Sequence, residues 1–155
     1  MNTRTARNRV SGSMFGLIAL GFFMTFATFS CSGQSMDVTG FDMLIGVDAG
    51  GESFEFGLMP LLAFGAALLG LAASFLRPTS GLLPSTSGLI GVFAMLMLRN
   101  RILEDVRREP VSVEFQSGFW IVLMLFLVAF GLNMAWWLYS RREASAATTP
   151  GSTLE

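Results

Sequence analysis

Two glutamates stand in nearly identical phrases of this sequence, and their placement comes nearest to a catalytic pair. Glu55 lies in Ser-Phe-Glu-Phe-Gly (53–57), and Glu114 lies in Ser-Val-Glu-Phe-Gln-Ser-Gly (112–118). If the two phrases form adjoining strands, the carboxylates could share acid and base roles in hydrolysis. The alternation of apolar and polar residues gives a simpler interpretation, in which both glutamates are the water-facing residues of half-buried strands.

The rest of the composition excludes several kinds of chemistry. The 155 residues include no histidine and a single cysteine, Cys31. The chain therefore cannot supply a Ser-His-Asp triad, a His or Cys metal cluster, a histidine ligand for haem or an internal disulfide. The segment 48–52 contains two carboxylates and two glycines, which are too few ligands for a calcium loop. We expect no enzyme activity, no cofactor and no metal site.

Cys31 follows a basic start and an apolar stretch, a pattern that resembles a lipoprotein signal. Such signals favour a small aliphatic residue three positions before the cysteine and a small residue two positions before it. Thr28 and Phe29 are poor matches at these positions. We expect Cys31 to be a free cysteine at the end of the apolar run.

Long apolar runs dominate the chain. Hydrophobic residues make up 52% of the sequence, and charged residues make up 14%, against about 25% in an average soluble chain. The runs occupy residues 14–30, 57–76, 82–98 and 118–139. Uncharged apolar stretches of about 20 residues are typical of membrane spans. The sequence therefore predicts an all-α membrane protein, a four-transmembrane-helix bundle built from two hairpins.

The polar segments divide the chain further. Residues 1–13 are predicted to be a cytoplasmic N-terminal segment, and residues 14–140 the transmembrane domain. Its outer loops are 31–56, which is acidic, and 99–117. The tail 141–155 is rich in Ala, Thr and Ser and is predicted to be disordered in the cytoplasm.

The arginines leave the number of spans open. Four spans place six arginines inside, namely Arg4, Arg7, Arg9, Arg77, Arg141 and Arg142, and four outside. A re-entrant third run would place eight inside and two outside, so the charge asymmetry alone favours three spans. The repeated phrase favours four, because each copy would then enter a span from the same side. We expect four spans in a bacterial cytoplasmic (inner) membrane, with both termini in the cytoplasm.

Both outer loops carry strand patterns. Phe54 and Phe56 alternate with polar residues in the first phrase, as do Val113 and Phe115 in the second. We predict that these four side chains form the underside of a small outer β-sheet contributed by both loops. The alternative is a pair of irregular loops whose aromatic side chains dip into the lipid headgroups.

The first loop also indicates a hairpin. Apolar residues alternate from Met36 to Ile45, with a register shift at Gly40 like that of a β-bulge. Residues 48–51, Asp-Ala-Gly-Gly, are typical of a turn, and they lead into the strand at Phe54.

Small and polar residues within the runs are candidates for helix packing. They are Ala66, Gly70, Ser74, Gly91, Gly131 and Asn133. Four-residue spacing of small residues lets helix backbones approach closely. Asn133 is the only amide in the runs, and we expect it to make an interhelical hydrogen bond. The sequence does not assign which of these faces would contact a partner.

Aromatic residues mark both ends of the fourth run. Trp120 stands at one end, and Trp136, Trp137 and Tyr139 stand at the other. Trp120 and Trp137 are about 26 Å apart along a helix that rises 1.5 Å per residue, which matches the hydrocarbon thickness of a bilayer. We predict two interfacial belts, with packing between helices as the alternative.

Short motifs in this layout resemble those of small bacterial four-helix membrane proteins that have no assigned function. Those proteins carry a Ser-Cys-x-Gly-Gln segment after the first span, here residues 30–34, and then a Ser/Thr-Gly-aromatic step, here residues 39–41. A second loop ending in Gly-Phe-Trp is also similar, here residues 118–120. The resemblance implies a four-helix bundle with both large loops outside the cytoplasm, and it implies no catalytic residue. The topology also resembles claudin-type proteins, although the pair of loop cysteines is missing.

Two classes of function stay open. The first is a non-catalytic accessory or scaffold subunit, which acts through its helices and outer loops on another membrane protein or on its own copies. The second is an oligomeric carrier or channel for an uncharged or lipid-like solute. The interiors of the runs contain no ionisable residue with which to couple to an ion gradient. We expect the first class, with the lipid bilayer and a membrane protein as partners and no role for nucleic acid.

Overall fold

A computed structural model describes residues 3–31, 34–49, 52–54, 57–76, 82–107 and 112–147. Helices predominate in these segments. They are α1 (Thr3–Gly21), α2 (Asp42–Ile45), α3 (Leu58–Leu76), α4 (Leu82–Val106) and α5 (Ser117–Ala147). The strands are β1 (Thr25–Cys31), β2 (Gln34–Thr39), β3 (Val47–Ala49), β4 (Glu52–Phe54) and β5 (Ser112–Phe115).

The four long helices pack in a ring. α1 contacts α3 and α5, and α4 contacts the same two helices. α1 runs antiparallel to α5, because Ser11 lies beside Asn133 at one end while Gly21 lies beside Val122 at the other. The core fills the ring and continues beneath the sheet. Its largest buried side chains are Phe15, Phe22, Phe26, Phe119, Phe126, Ile18, Met95 and Leu98.

Within the described residues, three helices are long and apolar enough to cross a membrane. The candidate spans are Leu58–Phe75 in α3, Leu82–Val106 in α4 and Ser117–Arg142 in α5. α4 is a single helix of 25 residues, and Pro84 falls in its first turn, where proline is tolerated. The third run therefore lies in one continuous helix.

The first apolar run differs from its prediction. It was expected to be one span over 14–30, but α1 ends at Gly21 and the chain turns into β1 at Thr25. α1 also begins at Thr3, so the predicted boundary at residue 13 falls inside the helix. Its apolar part, Val10–Gly21, rises only about 18 Å, against about 30 Å of hydrocarbon. A fourth span therefore stays a prediction.

The predicted small sheet is confirmed, but its central strand is one the sequence pattern assigned to a helix. The strand order is β2-β1-β5, with both pairings antiparallel. Phe29 of β1 pairs with Met36 of β2 and with Val113 of β5. The hydrophobic pattern of a short apolar run does not distinguish a strand from a helix. Here pairing on both sides of β1 decides for the strand.

The first loop forms two separate structures instead of one long hairpin. The stretch predicted to alternate through Gly40 breaks after β2 and forms α2. Thr39 and Asp42 stabilise this break, because the Asp42 carboxylate accepts from the Thr39 N–H at 2.9 Å and the Asp42 N–H donates to the Thr39 hydroxyl at 3.1 Å. Gly46 then leaves α2 at a φ of +82°, which favours glycine. β3 and β4 form the predicted hairpin, but as a sheet of their own.

Two further boundaries are corrected. α4 continues to Val106, so much of the loop predicted at 99–117 is helical. α5 continues to Ala147, so the predicted disordered tail is helical from residue 141 to that point. In both cases the charged residues that were taken as the end of a span extend its helix beyond the apolar segment.

Candidate functional site

Three buried polar side chains from three helices meet inside the ring, at the end away from the sheet. Ser11 comes from α1, Ser74 from α3 and Asn133 from α5, and each is almost completely buried. We call these three residues the polar cluster. The Ser11 hydroxyl donates to Asn133 Oδ1 at 3.2 Å, and Asn133 Nδ2 donates to the Ala129 carbonyl, one turn back in α5, at 2.7 Å.

Ser74 completes the cluster from the third helix. Its single hydroxyl hydrogen has two acceptors within reach, the Gly70 carbonyl at 2.8 Å and Ser11 Oγ at 3.1 Å. The bond to Gly70 is the shorter, and a serine bonded to the carbonyl one turn back is common in helices. The contact with Ser11 links α1 to α3, so all three helices join at one point.

The polar cluster is neutral. The buried polar side chains of the described residues are Ser11, Ser74, Ser85, Ser87 and Asn133, and none carries a charge. Buried polar groups are costly unless they are hydrogen-bonded, and the three cluster residues bond to one another and to the carbonyls of Gly70 and Ala129. The arrangement can fix the register of three helices.

Gly70 of α3 and Gly91 of α4 face aromatic side chains inside the ring of helices. The Phe15 ring packs on Gly70, where a Cβ would lie 2.6 Å from Phe15 Cζ. The Phe126 ring packs on Gly91 in the same way. Ala66 is buried beside them. These residues serve the internal packing of the helices.

Gly131 has the opposite environment. A Cβ built there meets no heavy atom within 4 Å in the described part of the chain. Ala135, one turn further along α5, is also exposed. Leu127, Leu132 and Leu138 are exposed on the same helix. Gly131 and Ala135 therefore form a shallow depression between large apolar side chains on the outside of the ring.

Aromatic side chains gather at the sheet end of the ring. We call Phe22, Phe26, Phe64, Phe115 and Phe119 the aromatic cluster. Phe26 lies 5.2 Å from Phe22 and 6.0 Å from Phe119, measured between ring centroids, and Phe64 and Phe115 extend the cluster. It joins α1, α3 and α5 with β1 and β5.

The short motifs of the sequence converge on this cluster. A Cβ at Gly40 would lie 2.7 Å from Phe26 Cζ, and a Cβ at Gly118 would lie 2.7 Å from the Cβ of Met24. Glycine thus allows two chain segments to close on β1. Phe119, next to Gly118, is fully buried in the aromatic cluster. The Thr-Gly-Phe and Gly-Phe-Trp steps therefore serve packing around β1.

The two phrases are not brought together as one sheet. Phe54 lies in β4, which belongs to the two-stranded sheet, whereas Val113 and Phe115 lie in β5 of the three-stranded sheet. Val113 and Phe115 pack against the core, as expected of an underside. Phe56 and Glu55 lie outside the described residues.

The polar face of the three-stranded sheet carries a short hydrogen-bond chain. Gln116 Nε2 donates to the Thr28 hydroxyl at 3.1 Å, and that hydroxyl donates to Asp37 Oδ1 at 2.6 Å. Glu114 pairs with Thr28 across the strands and is exposed. Among the described residues no group of three His, Cys, Asp or Glu side chains could hold a metal ion.

Trp120 lies in the first turn of α5, whereas Trp136, Trp137 and Tyr139 lie at the end of its apolar segment, before the helix ends at Ala147. Trp120 and Tyr139 are exposed, and Trp136 and Trp137 are half-buried. The Arg141 guanidinium lies over the Trp137 ring, 4.4 Å from its centroid, in a cation–π contact. At the sheet end Arg99 makes a longer contact of this kind with Phe115, at 5.9 Å.

Sequence reasoning missed Ser11 and the aromatic cluster. Ser11 fell in the segment predicted to be a polar tail, although Val10, Met14 and Phe15 around it follow a helical period. Phe26 fell inside a run assigned to a helix. The β-branched and aromatic residues Thr25, Phe26, Thr28 and Phe29 were the available signal for a strand.

No protein-family model, no curated protein and no solved structure matches this chain. The fold and the contacts within the chain must therefore carry any functional argument.

Proposed function

We propose that this protein is a non-catalytic, multi-pass integral membrane protein that works as an accessory or scaffold subunit. Its partner is a transmembrane helix of another membrane protein, which docks on the outward face of α5. The observation that carries the proposal is Gly131, a glycine in the middle of a long apolar helix with open space in front of it. Gly70 and Gly91, by contrast, are covered by aromatic side chains of the core, and Gly65, which is equally open, stands between Leu61 and Leu69 and has no second small residue four positions away.

The distribution of polarity supports a lipid-embedded ring. The polar cluster is buried and hydrogen-bonded inside, while large apolar side chains such as Leu69, Phe93 and Met124 point outward. In water this pattern would expose a continuous apolar surface. In a bilayer the exposed side chains meet acyl chains, and the interior satisfies its own polar groups.

The geometry of α5 supports helix docking. Small residues four apart let a second helix approach until the two backbones nearly touch, and association between membrane helices depends on such packing. Gly131 and Ala135 have this spacing, and Leu127 and Leu132 flank them as ridges. A glycine within a lipid-facing helix otherwise lowers helix stability without any packing in return.

The test compares two identical substitutions at open positions. Gly131→Leu fills the α5 depression, and Gly65→Leu adds the same side chain to α3, where a Cβ also meets nothing within 4 Å. We expect both variants to keep the fold. After gentle extraction from native membranes, a partner membrane protein should co-purify with the wild type and with Gly65→Leu. It should not co-purify with Gly131→Leu.

Two results would contradict the proposal. Equal recovery with both variants would mean that the α5 face is not the docking surface. Saturable uptake of a neutral solute by the pure protein in liposomes would instead support the alternative, an oligomeric carrier or channel.

A cross-linking experiment tests whether the partner is a second copy of this chain. Ala135→Cys is introduced in a Cys31→Ser background, and disulfide cross-links between copies are measured. Cross-links that form in this variant and disappear when Gly131→Leu is added would identify the partner as a second copy.

We further propose that α1 completes a four-span topology, with the sheet outside the cytoplasm and both termini inside. The arginines in the first half of α1 and near the end of α5 support this orientation, because arginine favours the cytoplasmic side. Glu114, which is exposed on β5, offers a test. In a Cys31→Ser background, Glu114→Cys should react with a membrane-impermeant thiol reagent added to intact cells. Reaction only after permeabilisation would reverse the orientation.

A further inference from the structure

A patch of apolar side chains, three of them exposed and one, Phe41, half-buried, surrounds the point where α1 ends and the chain turns into β1. It consists of Phe23, Met24, Phe41 and Ile45, and we call it the junction patch. Phe23 is 60% exposed, Met24 41% and Ile45 72%. The Phe23 and Phe41 rings stack at 5.1 Å between centroids, with 20° between their planes.

The junction patch lies at the depth of the candidate spans. Phe22, which precedes it, packs on Phe64 of α3, and Phe64 is about 9 Å along the helix from the start of that span at Leu58. Met24 also packs against Gly118, at the start of the α5 span. α1 therefore stops while its neighbours continue through the apolar region.

Several backbone N–H and carbonyl groups of the junction are hydrogen-bonded within the protein. The Phe41 N–H donates to the Phe22 carbonyl at 2.7 Å, and the Gly40 N–H donates to the Met24 carbonyl at 3.3 Å. The Met24 N–H itself donates to the Gly21 carbonyl at 3.0 Å. Irregular backbone is tolerated at membrane depth only when its polar groups have such partners. The N–H groups of Phe22, Phe23 and Met24 and the carbonyls of Phe22 and Met24 meet this condition.

The carboxylate of Asp42, between Phe41 and Ile45, is hydrogen-bonded within the protein. Asp42 follows Phe41 directly, and its Oδ2 accepts from both the N–H and the hydroxyl of Thr39, at 2.9 and 2.7 Å. These bonds tie the charge to the end of β2. Phe41 and Ile45 can then face an apolar medium without carrying an unsatisfied ion with them.

We infer that the junction patch is a lipid-contacting site, which rests at the boundary between acyl chains and headgroups in the leaflet on the sheet side. This inference depends on the proposed location of the helix ring in a membrane. The patch continues the exposed apolar surface of α1, formed by Leu17 and Leu20, and α2 packs against α3 beside it. Aromatic side chains favour this boundary, and the patch completes the apolar length that α1 lacks.

Spin labels at three positions test the inference. Each is introduced as a single cysteine in a Cys31→Ser background, and the protein is reconstituted in phosphatidylcholine vesicles. Ile45→Cys reports on the junction patch, Leu127→Cys on the middle of the α5 span, and Ser35→Cys on the exposed part of β2. Power saturation then compares collisions with oxygen, which concentrates in lipid, and with a water-soluble nickel complex.

We expect the ratio of oxygen to nickel accessibility at Ile45→Cys to be several-fold above that at Ser35→Cys and below that at Leu127→Cys. A ratio at Ile45→Cys equal to that at Ser35→Cys, with Leu127→Cys in lipid, would overturn the junction patch alone. Low accessibility to both reagents at Ile45→Cys would also overturn it, because protein would then cover the patch. A water-like ratio at Leu127→Cys would overturn the membrane location itself.

Discussion

The two ends of the helix ring join the same three helices by opposite means. At the sheet end, the aromatic cluster connects α1, α3 and α5 through rings that pack on β1 and β5. At the other end, the polar cluster connects them through three neutral side chains and a few hydrogen bonds. Phe119 and Asn133 stand about 21 Å apart on α5. The aromatic cluster and the polar cluster are therefore two separate joints between the helices.

The difference shows how each joint contributes. The aromatic cluster packs large apolar side chains against one another, so we expect it to contribute more to stability than the polar cluster. The polar cluster contributes little free energy, because a membrane interior offers other hydrogen-bond partners in the unfolded state. Its bonds are directional, however, and they can fix the register of α1 against α3 and α5.

The largest expected effect comes from removing the centre of the aromatic cluster. Phe26→Ala should lower the free energy of unfolding by about 3–5 kcal/mol, because it leaves a cavity among rings from three elements. Unfolding in denaturing detergent measures the change. The matched control is Phe93→Ala on the exposed face of α4, where we expect a change within about 0.5 kcal/mol. Similar losses from both variants would refute the central role of the cluster.

A smaller loss is expected midway between the two joints. Gly70 lies under the Phe15 ring, and Gly70→Leu should cost about 1–3 kcal/mol because the ring and α1 must shift. Gly65→Leu, on the same helix but in open space, is the control and should leave the midpoint of thermal unfolding in detergent unchanged. If Gly65→Leu destabilises as much, leucine itself and not the packing on Phe15 would be responsible.

The same comparison explains what the sequence could and could not predict. Long uncharged runs predicted α3, α4 and α5, since no other element accommodates about 20 apolar residues. β5 and the β3–β4 hairpin were also predictable, from alternation and from the Asp-Ala-Gly-Gly turn. These elements follow from local pattern alone.

The joints depend on contacts between distant parts of the chain, which a local pattern does not contain. Phe26 lies in a segment apolar enough for a helix, and only pairing with β2 and β5 makes it a strand. Ser11 lies 122 residues from Asn133 along the chain, so no spacing rule could link them. Asn133 itself was a candidate because an amide in an apolar run needs a partner. Its partner could only be found in the structure.

The smallest effect on stability, and the sharpest test of the comparison, comes from the polar cluster. Asn133→Leu removes the acceptor of the Ser11 hydroxyl and replaces the amide with a side chain of similar size. We expect a loss of about 1 kcal/mol or less in the free energy of unfolding. Ser11→Ala should cost less in the Asn133→Leu background than in the wild type, because its hydrogen-bond partner is already gone. A double-mutant cycle in detergent measures this coupling, and strictly additive losses would mean that the two side chains do not act together.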